Sequence, residues 1–470
     1  MKKLLIGFLA LSLVAVLAIP AAATDIDVSG TYYIRGWYDD NSALYEGNTS
    51  NALYEQRLRM QSVFKVVDGL KLTVQLDAME QVWGTNTPES QDSADSWGIH
   101  YGMKDDTYDG NVSIEMTRLD FVTKLGLISA GYWDTNVWGC EFGDNSFKVG
   151  RVQWTVPIGE KFYVIAGLEK DYEGDAKSWP GDDRYSDRDN DAYILAGIYR
   201  GEKVEAGLLW KYVRVAAMRD YGYYIGPPYY YASITGELNV LSPYFKATFD
   251  PFYVEGQLYW ADGTISFEDL FAGQPDVDAE GLSWYLMGKF SFGSAYIGGL
   301  VAYSQGDDPN TSSAEGYAVN GGWDWNPCLI LWNDDFNYKA YGTLGHNPYA
   351  LTDGQMRNAQ IYQIFAGWNP MEDLALRASY TVAFADQDMI GYPGYGVMQV
   401  DDDYGSELDI TANYKIYANL DYMIGLAYFW AGDFYKGDTV LGPIYGEGEA
   451  DYDPEVSNTY LLVHKLTLSF

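Results

Sequence analysis

The chain has 470 residues, with 66 acidic against 30 basic side chains, a formal net charge of −36 and a mean hydropathy of −0.22. A surface that acidic repels nucleic acid and attracts cations, which excludes a nucleic-acid partner. The 43 Tyr, 15 Trp and 50 Gly argue against an ordinary α/β enzyme; they suit strands that face lipid on one side and water on the other.

Residues 1–23 read as a signal peptide. Lys2 and Lys3 form a basic start, Leu4 to Ile19 an apolar run, and Pro20 leads into a small-residue cleavage site at Ala21, Ala22 and Ala23. The run is too short for a transmembrane helix, and the mature chain is expected to start near Thr24. No Cys sits at the junction, which speaks against a lipoprotein anchor. Without Lys2 and Lys3 the basic residues fall from 30 to 28 against 66 acidic ones, a net of −38.

From there apolar and polar residues alternate at period two in segments long enough to cross a membrane as tilted strands. Ile26, Val28, Tyr32, Ile34 and Tyr38 share one face, and Asp27, Ser29, Thr31, Arg35 and Asp39 the other. The expected spans are 26–38, 52–66, 70–82, 110–124, 126–138, 148–157, 161–171, 190–200 and 203–215 in the first half. The second half adds 230–248, with a bulge expected near Pro243, then 252–262, 281–291, 294–304, 358–368, 373–386, 403–415, 419–432 and 458–470. Leu420, Tyr422, Ile424, Leu426, Tyr428 and Trp430 make the cleanest apolar face.

The gaps alternate between tight turns, such as Val67-Asp68-Gly69 and Phe292-Gly293, and long loops such as 83–109 and 305–357. That pattern predicts an all-β fold: a transmembrane antiparallel up-and-down β-barrel of about eighteen strands over residues 24–470. Short periplasmic turns, long extracellular loops and both termini on the periplasmic side follow from an even strand number. A β-propeller or stacked sandwiches would also give many strands, but not alternating loop lengths.

The final strand ends Leu466-Thr467-Leu468-Ser469-Phe470, which resembles the C-terminal signature of bacterial outer-membrane barrels. Residues 405–435 run Gly-Ser-Glu-Leu-Asp-Ile-Thr-Ala-Asn-Tyr-Lys-Ile-Tyr-Ala-Asn-Leu-Asp and end in an aromatic-Ala-Gly-Asp segment. This hairpin resembles that of porins of the alginate-export type and related proteobacterial porins. The resemblance covers about thirty residues and implies an eighteen-stranded porin of the outer membrane. That exporter family lines its pore with positive charge, whereas this chain is acidic, so the resemblance carries no substrate.

An eighteen-stranded barrel leaves an aqueous lumen unless loops fill it. Alternation places Arg35 on the first strand, Glu55, Arg57 and Arg59 on the second and Asp77 on the third as pore-lining candidates. Glu205 and Lys211 follow on the ninth, Arg377 on the fifteenth, Glu407 and Asp409 on the sixteenth, and Asp421 on the seventeenth. Arg377, Asp409 and Asp421, on three consecutive strands, are expected to form a ladder of opposite charge that orients solutes. The plainer reading is a paired, hydrated wall.

Negative charge concentrates in the loops. Residues 171–191 hold eight acids and three bases, and residues 433–457 hold seven acids against Lys436. Such loops raise cation concentration at a mouth; the plainer reading is a solubilising surface. Asp187-Arg188-Asp189-Asn190-Asp191 lacks the Gly and distal Glu of a calcium loop. The longest loop, 305–357, carries Trp323, Trp325 and Trp332 and is expected to fold partly into the lumen as a constriction. Cys140 and Cys328 both fall on the long-loop side, where a disulfide and a reduced pair are both open. No CxxC or CxxCH is present and the only histidines are His100, His346 and His464, so neither metal nor cofactor is expected.

The function expected is a porin: a diffusion channel for small solutes or cations among outer-membrane lipid and lipopolysaccharide, as a homotrimer or a monomer. A structural barrel that sheathes an electron-transfer or export partner is the alternative. A hydrolase is disfavoured because no Ser/His/Asp set stands out, and a plugged transporter because no plug domain precedes the first strand.

Overall fold

The computed structural model describes residues 25–41, 44, 50–83, 112–174, 188–217, 223–224, 231–268, 275–316, 322, 324–333, 355–392, 396–399, 401–435 and 457–470. The expected signal peptide, Trp323 and most of both acidic loops lie outside these residues.

Eighteen long strands form the wall. The first nine are β1 (Asp25–Asp40), β2 (Asn51–Val67), β3 (Leu70–Val82), β4 (Val112–Thr123), β5 (Gly126–Val137), β6 (Asp144–Ile158), β7 (Phe162–Tyr172), β8 (Asn190–Arg200) and β9 (Val204–Val215). The second nine are β10 (Tyr231–Phe249), β11 (Phe252–Glu268), β12 (Val277–Phe292), β13 (Ala295–Ser304), β14 (Ala359–Met371), β15 (Leu374–Ala385), β16 (Asp403–Tyr417), β17 (Leu420–Ala431) and β18 (Thr459–Ser469). Each pairs antiparallel with the next, and β18 returns to β1 from Thr31↔Ser469 to Asp40↔Tyr460. Gly30 and Phe470 exchange backbone hydrogen bonds of 2.8 and 3.0 Å, which finish the seam. The sheet is a closed antiparallel barrel, so it has no free edge.

Turn chemistry explains the tight ends. Gly69 and Gly293 sit at φ +79° and +59°, the left-handed region that two-residue hairpins require and that a Cβ disfavours. The bulge expected near Pro243 is absent: Leu241↔Trp260 and Tyr244↔Gln257 keep one register, and the ladder to β11 is merely interrupted where proline has no N–H to give. The register shifts instead between β2 and β3, where Met79 adopts φ +57°.

Period two decides what faces where. On β17 Tyr428 is 38% exposed while the adjacent Phe429 is fully buried, and on β14 Ile364 is 66% exposed between buried Gln363 and Phe365. The exposed set around the barrel is Leu, Ile, Val, Phe, Tyr and Trp, and the inward set carries the ionic groups. An oily outside and a polar inside reverse the soluble pattern. Every backbone group in such a sheet bonds within the wall, as a bilayer demands. This is a membrane-spanning barrel.

Candidate functional site in the lumen

The inward wall is held by ion pairs between neighbouring strands. Arg35 on β1 donates its Nε to Glu55 on β2 at 2.6 Å, and its guanidinium lies over the rings of Tyr33 and Trp37 at 5.6 and 5.3 Å. Arg59 grips Asp77 with two bonds of 2.7 and 2.6 Å, and Arg57 reaches Glu80 at 3.4 Å. Paired geometry of this kind keeps a desolvated charge tolerable.

A second group spans β5 to β9. Glu169 on β7 accepts hydrogen bonds from Thr135 at 2.5 Å and Lys211 at 2.6 Å, and forms an ion pair with Arg151 at 3.2 Å. Glu205 takes Arg200 at 3.3 Å and the Tyr244 hydroxyl at 2.9 Å. Lys211 is among the pore-lining residues expected from alternation; Glu169 and Arg151 are not. Both sit on the inward phase of expected strands, so alternation alone could have found them.

Among the described residues, two loops meet inside the lumen. The first is the connection between β5 and β6, which counts among the long loops by its sequence but for which no inward fold is expected there. Trp138 crosses the lumen and donates its indole N–H to Ser242 O on β10 at 2.9 Å. Gln257 on β11 receives the Cys140 N–H at 2.7 Å and donates to Trp138 O at 3.0 Å. Gly207 on β9 makes room, since a Cβ there would sit 3.0 Å from the Trp138 ring.

The second lies in the longest loop, at 324–333. Glu407 on β16 receives the amides of Leu329 and Ile330 on one oxygen at 3.0 and 2.7 Å, and that of Leu331 on the other at 2.8 Å. Gln363 on β14 donates to Pro327 O at 2.8 Å. Trp332 is fully buried edge-on to Tyr404 at 5.8 Å. Trp325 meets Phe142 of the first loop at 5.0 Å, and Phe142 stacks on Tyr285 at 5.4 Å. Gly322 N–H donates to Phe142 O at 2.8 Å, so the two loops join across the barrel.

The expected charge ladder does not form. Arg377 donates to Gln363 at 3.0 Å and lies over Phe365 at 5.3 Å, while Asp409 takes Ser379 at 3.3 Å. Asp409 stands opposite Ala427, six residues along β17 from Asp421, which stands opposite Lys415. Six residues of strand put Asp421 about 20 Å away. Consecutive strands do not guarantee one level, because stagger sets it.

Cys140 and Cys328 are free, buried thiols with no bond between them. Burial, reinforced by the charge of Glu255, pushes the Cys140 thiol up to about 12. Burial likewise raises Cys328, followed by the charges of Glu407 and Asp409. Ligand atoms of Cys328, Glu407 and Asp409 lie within 4.8 Å of one another. They fit a metal poorly, because a metal needs the thiolate and the Glu407 oxygens already face three N–H groups.

Neither a protein-family model nor a curated protein matches this sequence. Solved structures similar to the chain include Acinetobacter baumannii OccAB3, 10% identical over 94% of this chain and 100% of that one, with a TM-score of 0.49. Pseudomonas aeruginosa OccK8 (OprE) is 12% identical over 94% and 98%, and OccK11 (OpdR) 10% identical over 94% and 96%, both with a TM-score of 0.48. The barrel assignment rests on the strand pairing of this chain itself.

Proposed function

We propose that the chain is a porin of a bacterial outer membrane: a channel for passive passage of small solutes, narrowed by the two inward loops and favouring cations at its mouth. The observation that carries the proposal is the reversed barrel, apolar outside, with its ionic groups directed into the lumen. Arg35, Glu55, Arg57, Arg59, Asp77, Glu205 and Lys211 then line the wall, and Trp325 and Trp332 stand at the constriction. Each of these seven charges has an opposite partner on the wall. The cation preference therefore comes from the acidic long-loop segments, and it weakens as salt shortens the screening length from about 30 Å at 0.01 M to about 3 Å at 1 M.

Planar-bilayer recording under a KCl gradient tests both parts. Stepwise conductance is expected, with a cation-selective reversal potential at low salt that decays toward zero as salt rises. Chloride selectivity at low salt would retire the mouth effect alone. Absence of conductance would retire the channel. It would favour a structural barrel, for which the shared apolar packing of the two loops inside the lumen is the supporting observation.

A further inference from the structure

We propose that Glu407 is the positioning residue of the constriction: its carboxylate is the latch that keeps segment 324–333 folded in the lumen. The inference rests on the channel reading for its consequence, not for its geometry. Glu407 and Asp409 stand two residues apart on the inward face of β16. Two neighbouring carboxyl groups in a confined wall need donors, and the Arg377 guanidinium donates to Gln363, 3.0 Å away. The donors come from the loop backbone, where the consecutive amides of Leu329, Ile330 and Leu331 converge on Glu407 at 3.0, 2.7 and 2.8 Å. Successive N–H groups aimed at one carboxyl group form a nest, and the carboxyl oxygens satisfy three backbone donors that would otherwise be buried without acceptors. Asp409 contributes less, with Leu329 N at 3.4 Å.

The nest is set in backbone that would not hold this shape alone. Trp332, directly after it, adopts φ +50°, a left-handed conformation that a bulky side chain disfavours. Other polar ties hold the stretch before the nest: Gln363 donates to Pro327 O, the Cys328 thiol to the Thr381 hydroxyl, and Ser146 to Asp324. Glutamine cannot replace the latch. Whichever way its amide turns, one end offers hydrogens to an N–H of the loop, and at least one hydrogen bond is lost.

Cys328 reports on the latch directly, because it is buried while the segment is seated. In a Cys140→Ser background, with the barrel reconstituted in lipid, the probe is a charged, membrane-impermeant thiol reagent. Cys328 should resist it in the parent, and Glu407→Gln should raise the labelling rate at least tenfold, the size expected when one buried N–H loses its acceptor. Asp409→Asn should raise it less, and single-channel conductance should rise with labelling. Rapid labelling in the parent would overturn the proposal without any variant. So would a Glu407→Gln protein, folded by its heat-dependent gel migration, that labels as slowly as its parent. Labelling that follows the prediction while no variant conducts would keep the latch and remove the channel reading.

Discussion

Neutralising Glu55 tests whether the lumen wall depends on matched pairs. Arg35 is 3% exposed and Glu55 fully buried, the guanidinium is held between Tyr33 and Trp37, and Arg35 stands opposite Lys465 in the β1–β18 register. Removing the carboxylate leaves a cation that cannot reach water easily, close to a second one. Orphaning one member of a buried pair costs about 3–5 kcal/mol, against about 0–1 kcal/mol for an exposed pair. Lys65 with Asp25 supplies the exposed control, 39% and 77% accessible. Glu55→Gln should therefore lose about 3 kcal/mol or more in urea titrations of the barrel folded in lipid, followed by tryptophan fluorescence, and Asp25→Asn less than about 1 kcal/mol. The double variant Arg35→Met/Glu55→Met should recover much of the loss, because both charges leave together. If Glu55→Gln and Asp25→Asn cost the same, the pairs are ornament on a wet wall and the reasoning fails.

Two further outcomes follow from packing and from ionisation. Phe365 lies over Gly298 and Tyr296 over Gly367 on the adjoining strands β13 and β14, and a Cβ at either glycine would overlap the facing ring. Gly298→Val should cost about 1–3 kcal/mol by the same titration, and a change within about 0.5 kcal/mol would contradict this packing. Cys140 should label slowly at pH 8 in a Cys328→Ser protein, its rate climbing only as pH nears 12. The thiol ionises near 9.0 in an unfolded chain and about 12 in the fold, so its protonated form favours folding below pH 9 and that contribution shrinks as pH rises through this window. Fast labelling at neutral pH would show the thiol to be exposed.

Much of the architecture is legible in the sequence for one physical reason. A strand with lipid on one side and water on the other must alternate, and eighteen alternating segments separated by unequal gaps leave few folds. What alternation cannot supply is stagger. Arg377, Asp409 and Asp421 share an inward phase yet sit at different heights, and the Met79 bulge has no mark in a pattern of apolar and polar residues. Loops obey no period at all. Trp138 reaches Ser242 past four intervening strands, and the nest on Glu407 is backbone chemistry to which side-chain identity barely testifies. The six-residue connection after β5 gave no cue that it turns inward, because its partners Gln257 and Tyr285 lie far along the chain.

The account stands on the closure of β18 against β1, and one crosslink measures it. Thr31 and Ser469 face each other next to the hydrogen-bonded Gly30–Phe470 pair. As a non-hydrogen-bonded pair their Cα atoms lie about 4.5 Å apart, within disulfide range. In a chain lacking Cys140 and Cys328, Thr31→Cys with Ser469→Cys should oxidise to an intramolecular disulfide, seen as a faster-migrating unfolded band that reductant abolishes. Thr31→Cys with Thr467→Cys, two residues out of register, should not. Equal crosslinking of the two pairs, or of neither, would contradict a closed barrel in this register.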